Sequence, residues 1–210
     1  MNWLRDDTSI TYLIIDTETE GLSLIGKNRP WNCSWILYQN GKILEQHDKF
    51  VWWKDLNISK GAAQITRFDY DEYKKKAEDA NKVLDEFEAY LNDKSYVIIA
   101  HNISSFDCYI IKNWREALNR KNDYSYLDRT IDTNSLARAM KKGIKKVERK
   151  DWKLMNFRFS NYVEKGLKTN LTALGKELGV ECNYEELHRG LSDIYLNIKV
   201  FEKLKWQIEI

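Results

Sequence analysis

Residues 11–22 read TYLIIDTETEGL, from Thr11 to Leu22. Tyr12 to Ile15 form an apolar run rich in β-branched residues. A run that is apolar without alternation suits a strand buried on both faces. It stops at Asp16, and Glu18 follows two residues later. Residues i and i+2 of a strand project the same way, so both carboxylates would leave one side of a central strand near its end. Two carboxylates held that close repel unless something positive lies between them. A hard divalent cation with a preference for oxygen, Mg²⁺ or Mn²⁺, meets that need. In a chain with 32 acidic residues among 210 such a pair also arises by chance. The metal reading therefore needs further carboxylates from elsewhere.

The chain around this stretch has the composition of a globular protein, 43% hydrophobic and 31% charged. Its length fits a single domain, residues 1–210. The opening MNWLRDDTSI has no apolar signal core, and no stretch approaches a membrane span, so a cytoplasmic protein without membrane contact is expected. Cys33, Cys108 and Cys182 form no C-x-x-C pair and read as reduced thiols. The formal net charge of +2 is uneven. Arg138 to Lys168 holds eleven basic residues against three acidic ones, a local +8 that leaves −6 for the rest. A basic segment on an acidic chain points to a polyanionic partner.

Outward from residue 22, Ser34–Tyr38 reads as a second strand, Asn40-Gly41 as a hairpin turn and Lys42–Val51 as the returning strand. A loop is expected over Asn57–Phe68. One amphipathic helix is expected over Asp71–Leu91, with Tyr73, Ala77, Ala80, Leu84, Phe87 and Leu91 on its buried face. Tyr96–Ala100 is a further apolar run. Asp107 falls at the start of the next helix, where the helix dipole alone would favour a carboxylate. Tyr126–Ile131 reads as a fifth strand and Asn134–Met140 as a helix. The basic segment, about residues 140–168, interleaves Lys145, Lys146 and Arg149 with Trp152, Phe157, Phe159 and Tyr162. Cations among aromatics can hold phosphates and stack bases of a single strand, or can be a solvated insertion with a small aromatic core. A helix follows over Thr169–Leu178. In the last helix Leu191, Ile194, Ile198, Phe201, Leu204 and Ile208 make a buried stripe with Asp193 at its edge, and His188 lies in the loop before it.

Asp16, Glu18, Asp107 and Asp193 each stand at a strand end or helix start, where the sites of α/β proteins gather. The sequence resembles the DEDD 3′–5′ exonuclease superfamily, its DEDDh (DnaQ-like) branch in particular. LIIDTETEGL is similar to the first family motif, AHNISSFDCYII to the second and HRGLSDIYL to the third. Histidine five residues before the last aspartate marks the DEDDh branch. TIDTNSLAR and NLTALGKELG resemble two further family segments, and the segment from Met140 to Ser160 is longer and more basic than the usual connection.

The resemblance implies an α/β, ribonuclease H-like fold, a five-stranded mixed sheet flanked by helices. It implies two divalent metal ions, Mg²⁺ or Mn²⁺. Asp16, Glu18 and Asp193 would hold the first; Asp16 would bridge to the second, with Asp107 supporting it. His188 would be the general base, since imidazole accepts a proton near neutral pH. The backbone around Thr17 and Thr19, with His101, Asn102 and Phe106, would line the pocket for the terminal nucleotide. The expected activity is release of nucleoside 5′-monophosphates from the 3′ end of single-stranded DNA, with RNA as the alternative substrate. A separate polymerase or other replication protein would be the partner, in a bacterial or phage-infected cytosol. Two other readings compete. A haloacid-dehalogenase-like phosphatase would use Asp16 as nucleophile, although Glu18 replaces the second Asp of its motif. A catalytically silent nucleic-acid-binding module would keep the fold without cleavage.

Overall fold

The computed structural model describes residues 3–24 and 28–210. After a short helix, α1 (Trp3–Asp6), come three antiparallel strands: β1 (Tyr12–Thr19), β2 (Pro30–Gln39) and β3 (Lys42–Trp52). Asn40 and Gly41, with φ of 47° and 78°, make the tight hairpin turn whose twist matches the strands it joins. Helices α2 (Lys60–Thr66) and α3 (Tyr70–Lys76) lead to a two-residue strand β4 (Glu78–Asp79) and helix α4 (Ala80–Leu91). Then come β5 (Val97–Ala100), α5 (Asp107–Ala117), β6 (Thr130–Asp132), α6 (Thr133–Lys141), α7 (Trp152–Ser160), α8 (Leu171–Glu177) and α9 (Gly190–Leu204). The sheet order is β4-β3-β2-β1-β5-β6, with β5 and β6 parallel to β1. The expected mixed sheet flanked by helices is present, with six strands in place of five because β4 adds to the free edge of β3.

Alternation along the strands builds two cores. Tyr12, Ile14, Ile36 and Ile99 face α6, α8 and α9, and Tyr12 meets Phe201 edge-on at 5.1 Å. Leu13, Ile15, Trp35 and Ile98 face α4 and α5. Trp31, Trp35 and Trp53 are buried, and Trp52 lies 40% exposed. The expected helix over 71–91 is broken. Ala77 is extended, Glu78 pairs with Val51, and Asp79 starts α4 by accepting from the backbone N–H groups of Asn81 and Lys82. The expected loop over 57–68 holds α2, capped by the Ser59 side chain. The fifth strand begins later than expected, at Thr130, because Ser125–Arg129 coil into a 3₁₀ turn.

The basic segment also departs from expectation. Helix α6 starts at the C-terminal end of β6 and runs back along the sheet, so the lysines beyond it emerge at the strands' N-terminal ends. Arg149, Lys150 and Lys153 accordingly share a cleft with Ile10, Tyr96 and Val97. Lys145 and Lys146 pair by backbone with Glu209, beyond the end of α9. Helix α7 then returns along the outer edge of β6. The Asn156 side-chain amide donates to the Thr130 carbonyl at 2.6 Å, satisfying a group that an edge strand leaves unpaired.

Candidate active site

The same alternation that fills the two cores distributes the acidic residues. Asp16 and Glu18 continue the face of Tyr12 and Ile14, towards α9. Thr17 continues the face of Leu13 and Ile15, towards α5. The register between β1 and β2 shifts just after Glu18, a bulge of the kind that re-aims side chains at a strand end.

Helix α9 delivers Asp193 in its first turn. Its start can approach the sheet closely because residue 190 is glycine. A Cβ there would lie 2.0 Å from Ser34 Oγ and 2.6 Å from Asn32 Oδ1. Those two side chains are held by Asp48, whose Oδ1 accepts from both at 2.7 Å. His188, in the left-handed region with φ of 67°, donates its backbone N–H to Asp193 Oδ2 at 3.0 Å and leaves its imidazole exposed at the rim. One carboxylate oxygen from each of Asp16, Glu18 and Asp193 lies within 4.8 Å of the others.

Asp107 stands outside this set of three. It is buried at the first turn of α5, and Thr17 Oγ1 donates to its Oδ1 at 2.6 Å. The loop that delivers it is fixed by fully buried Asp132, which accepts from the backbone N–H groups of Asn102, Ser104, Asn134 and Ser135 at 3.0–3.2 Å. His101 Nδ1 lies 3.0 Å from Thr133 Oγ1, and Asn102 Oδ1 accepts from Asn134. Both residues thus brace the loop against α6. Burial lowers the His101 imidazole to about 4, so it is neutral at physiological pH. Thr19 turns its hydroxyl to the Gly21 carbonyl. Phe106 is half-buried beside Asp107.

Electrostatics mark the cluster as a cation site. Burial first, then the charges of Asp193, Asp107 and Asp48, push Glu18 up to about 8. Asp16 is raised well above the usual carboxylate range by burial and by Asp193, Glu18 and Asp107. Burial lifts Asp193 to about 6, against a lowering by His188. Burial lifts Asp107 to about 6 as well, against the hydrogen bond from Thr17. Among the described residues no lysine or arginine pairs with Asp16, Glu18 or Asp193. Crowded oxygens with no counter-charge are the donor set a hard divalent cation takes, so the residues present fit the expected metal ions.

Lys145, Lys146, Arg149 and Trp152, expected to bind substrate, lie away from this acidic cluster. Arg149 and Trp152 border the cleft around Ile10, and Ile10 lies six residues before Asp16, two ahead of β1, about 20 Å at a strand's rise. Trp152 is 5% exposed and packs in the core beneath α6 and α9, unable to stack on a base. Other contributors were missed. Asp48, itself exposed, and fully buried Asp132 act through hydrogen bonds to neighbouring segments; the paired polar residues Asn32 and Ser34 in an otherwise apolar strand were the available signal for the first. Leu22, 85% exposed, follows the end of β1, where the Ser59 N–H donates to the Glu20 carbonyl.

Residues 13–201 match the sequence profile of the RNase T exonuclease family. No curated protein matches the chain. Solved structures with a similar fold include E. coli exonuclease I in complex with a dT13 oligonucleotide, at 20% identity and a TM-score of 0.72, covering 94% of this chain and 41% of that one. A zinc-bound E. coli exonuclease I–ssDNA complex matches at 19% identity and a TM-score of 0.73, covering 94% of this chain and 40% of that one. The chain therefore spans about two-fifths of the length of these exonucleases.

Proposed function

We infer, for a chain that belongs to the RNase T exonuclease family, that it removes nucleotides from the 3′ end of single-stranded DNA by metal-dependent hydrolysis, releasing nucleoside 5′-monophosphates. The observation that carries this is the convergence of Asp16 and Glu18 from β1 with Asp193 from α9, all within 4.8 Å and, among the described residues, without a lysine or arginine paired to them. Asp16, Glu18 and Asp193 would hold the first divalent cation, and Asp16 with Asp107 the second. Such ions, when bound, supply the charge that polarises a phosphate and offsets charge on attacking and leaving oxygens. His188 is the general base: its backbone is anchored to Asp193 while the exposed ring faces solvent, from which the attacking water comes. Thr17 holds Asp107 in place. Phe106 and Leu22 offer apolar surface to the terminal base, and His101 and Asn102 keep the loop under it rigid. The phosphatase reading is set aside by the family match. Residues 1–210 act in this reading as one exonuclease domain with an inserted basic segment. Its partners would be DNA-handling proteins such as a separate polymerase, in a bacterial or phage-infected cytosol. Among the described residues, no helix is long and apolar enough to cross a membrane.

The test uses 5′-labelled single-stranded DNA and RNA of the same sequence, each with Mg²⁺, Mn²⁺ or EDTA. A ladder shortening from the 3′ end with metal and not with EDTA is expected, faster on DNA. His188→Ala should lower the rate at least about a hundredfold without unfolding the chain, because the ring is exposed. Binding of DNA with no metal-dependent cleavage would overturn the reading in favour of a silent module, and faster cutting of RNA would move the substrate class.

A further inference from the structure

The cations that miss the cleavage site are placed coherently. Lys94, Arg149, Lys150 and Lys153 are all exposed around a cleft of about 600 Å³ at the N-terminal ends of β1 and β5. Of the acidic residues there, Asp128 pairs with Lys153 at the surface, a contact that an incoming phosphate can displace at little cost, and Asp7 is hydrogen-bonded to Ser9. Arg129 is committed elsewhere, donating to the Tyr96 and Leu91 carbonyls.

Helix α7 connects this cleft to the active site. Its first residues border the cleft, and its last, Ser160, accepts from Ser105 Oγ at 2.9 Å, two residues before Asp107. The inner face of α7 is occupied by Trp152, Met155 and Asn156. Its outer face presents Leu154, 58% exposed, and Phe157, 72% exposed, with Lys153 and Arg158 beside them. Exposed apolar side chains on a surface helix are ordinarily a liability. Interleaved with cations, they match the alternating demands of single-stranded nucleic acid, whose bases stack and whose phosphates need counter-charge.

We propose that α7 is a track for the single strand upstream of the 3′ end, with bases against Phe157 and Leu154 and phosphates at Arg158, Lys153, Lys150 and Lys94. This rests on the exonuclease reading and extends it from the terminal nucleotide to the length of substrate recognised. The cleft lies about 20 Å from Asp16 by strand rise. At about 3.4 Å per stacked nucleotide, the strand must reach about six nucleotides to touch it. A tetranucleotide cannot; a 15-mer can.

The experiment compares fluorescently labelled dT4 and dT15 with the wild-type chain, Phe157→Ala, and the double variant Lys150→Glu/Lys153→Glu. Binding is measured in EDTA as a function of salt, and cleavage with Mg²⁺. For dT15 the double variant should weaken binding at least tenfold and reduce the slope of log affinity against log salt by about 1.4, at about 0.7 per phosphate contact on a single strand. Phe157→Ala should weaken dT15 binding at least about fivefold, as expected for one lost stacking partner. Cleavage of dT4 should stay within twofold of wild type for the double variant, whose lysines lie at the cleft end of α7. For that variant equal losses on dT4 and dT15, or for either variant none on dT15, would overturn the track and leave Phe157 as a protein-docking residue. If the wild-type chain cleaves neither oligonucleotide the exonuclease reading fails, while the dT15 binding comparison still decides the track.

Discussion

Gly190→Ala adds one methyl group, and the structure fixes what it must do. The new Cβ would sit 2.0 Å from Ser34 Oγ and 2.8 Å from Ser34 Cβ, where ordinary contact begins at 3.4 Å. Ser34 cannot give way: it is fully buried, and its hydroxyl donates to Asp48 at 2.7 Å. Asn32 Oδ1, at 2.6 Å from the new atom, belongs to the same network. The start of α9 must therefore retreat by roughly 1 Å, and Asp193 and His188 retreat with it. Overpacking of this kind costs about 1–3 kcal/mol, a Tm fall of roughly 2–12 °C for a chain of this size. Misplacement by about 1 Å costs catalysis on the order of a hundredfold. The two losses separate by assay: melt the variant, then measure its rate well below its Tm. The expected outcome is a folded protein with a rate about a hundredfold down at saturating DNA. Ser34→Gly in that background removes two of the three obstructing atoms, the nearest among them, and should recover at least about tenfold. A Gly190→Ala enzyme with the wild-type rate, or a folded double variant with no recovery, would refute the argument that the closeness of α9 to β2 sets the site.

Thr17→Val removes the hydrogen bond that lowers Asp107; the acid limb of the pH–rate profile should move to higher pH and the rate at neutral pH should fall about tenfold. Asp107, Asp193 and Glu18 have folded-state pKa values raised to about 6, about 6 and about 8. Such groups stabilise the fold fully below their unfolded pKa of about 4, and that contribution is lost as pH rises through the folded values. The Tm of the protein in EDTA should therefore fall between pH 5 and pH 8.5, and Mg²⁺ should raise it at pH 8.5 and not at pH 5; a flat EDTA profile would show that burial and neighbouring charge do not raise these carboxylates. Asn156→Leu strips the Thr130 carbonyl of its partner and should cost about 1–3 kcal/mol by denaturant melt, with dT4 cleavage unchanged.

The parts of the site that depend on strand periodicity were legible. Asp16 and Glu18 share a face because they are two apart, and Asp193 meets them because it edges the stripe that buries α9. That Thr17 would point the other way comes from the same rule, yet its partner could not be read from it, since the link to Asp107 spans 90 positions. Asp48 and Asp132 were opaque for the same reason: each acts by accepting hydrogen bonds from other segments, and a single sequence holds no record of which segments a carboxylate will meet. The break at Ala77 was hidden by its own regularity. Tyr73, Ala80, Leu84 and Phe87 are all buried, so helical spacing continues across a stretch that leaves the helix to pair with β3. Asp79, a capping residue inside an apparent helix, was the sign against it.

The basic segment shows how charge and position separate. Local composition correctly marks where a chain concentrates positive charge, because charge is additive along the sequence. Where that charge ends up depends on helix length. The nine residues of α6 span about 13 Å, enough to carry the lysines beyond it from the carboxylate end of the sheet towards the opposite one. Trp152 was misassigned by the same step, since the turn into α7 buries it under the core that α6 and α9 share. For a small substrate this displacement would end the matter. A polynucleotide is extended, so a patch some 20 Å away still acts on it, and its contribution enters through length and salt instead of through the chemistry at the 3′ end. In the proposed reading the acidic cluster and the basic cleft need not touch: one would hold cations against the scissile phosphate, and the other would supply the counter-charge that a strand approaching so negative a site otherwise lacks.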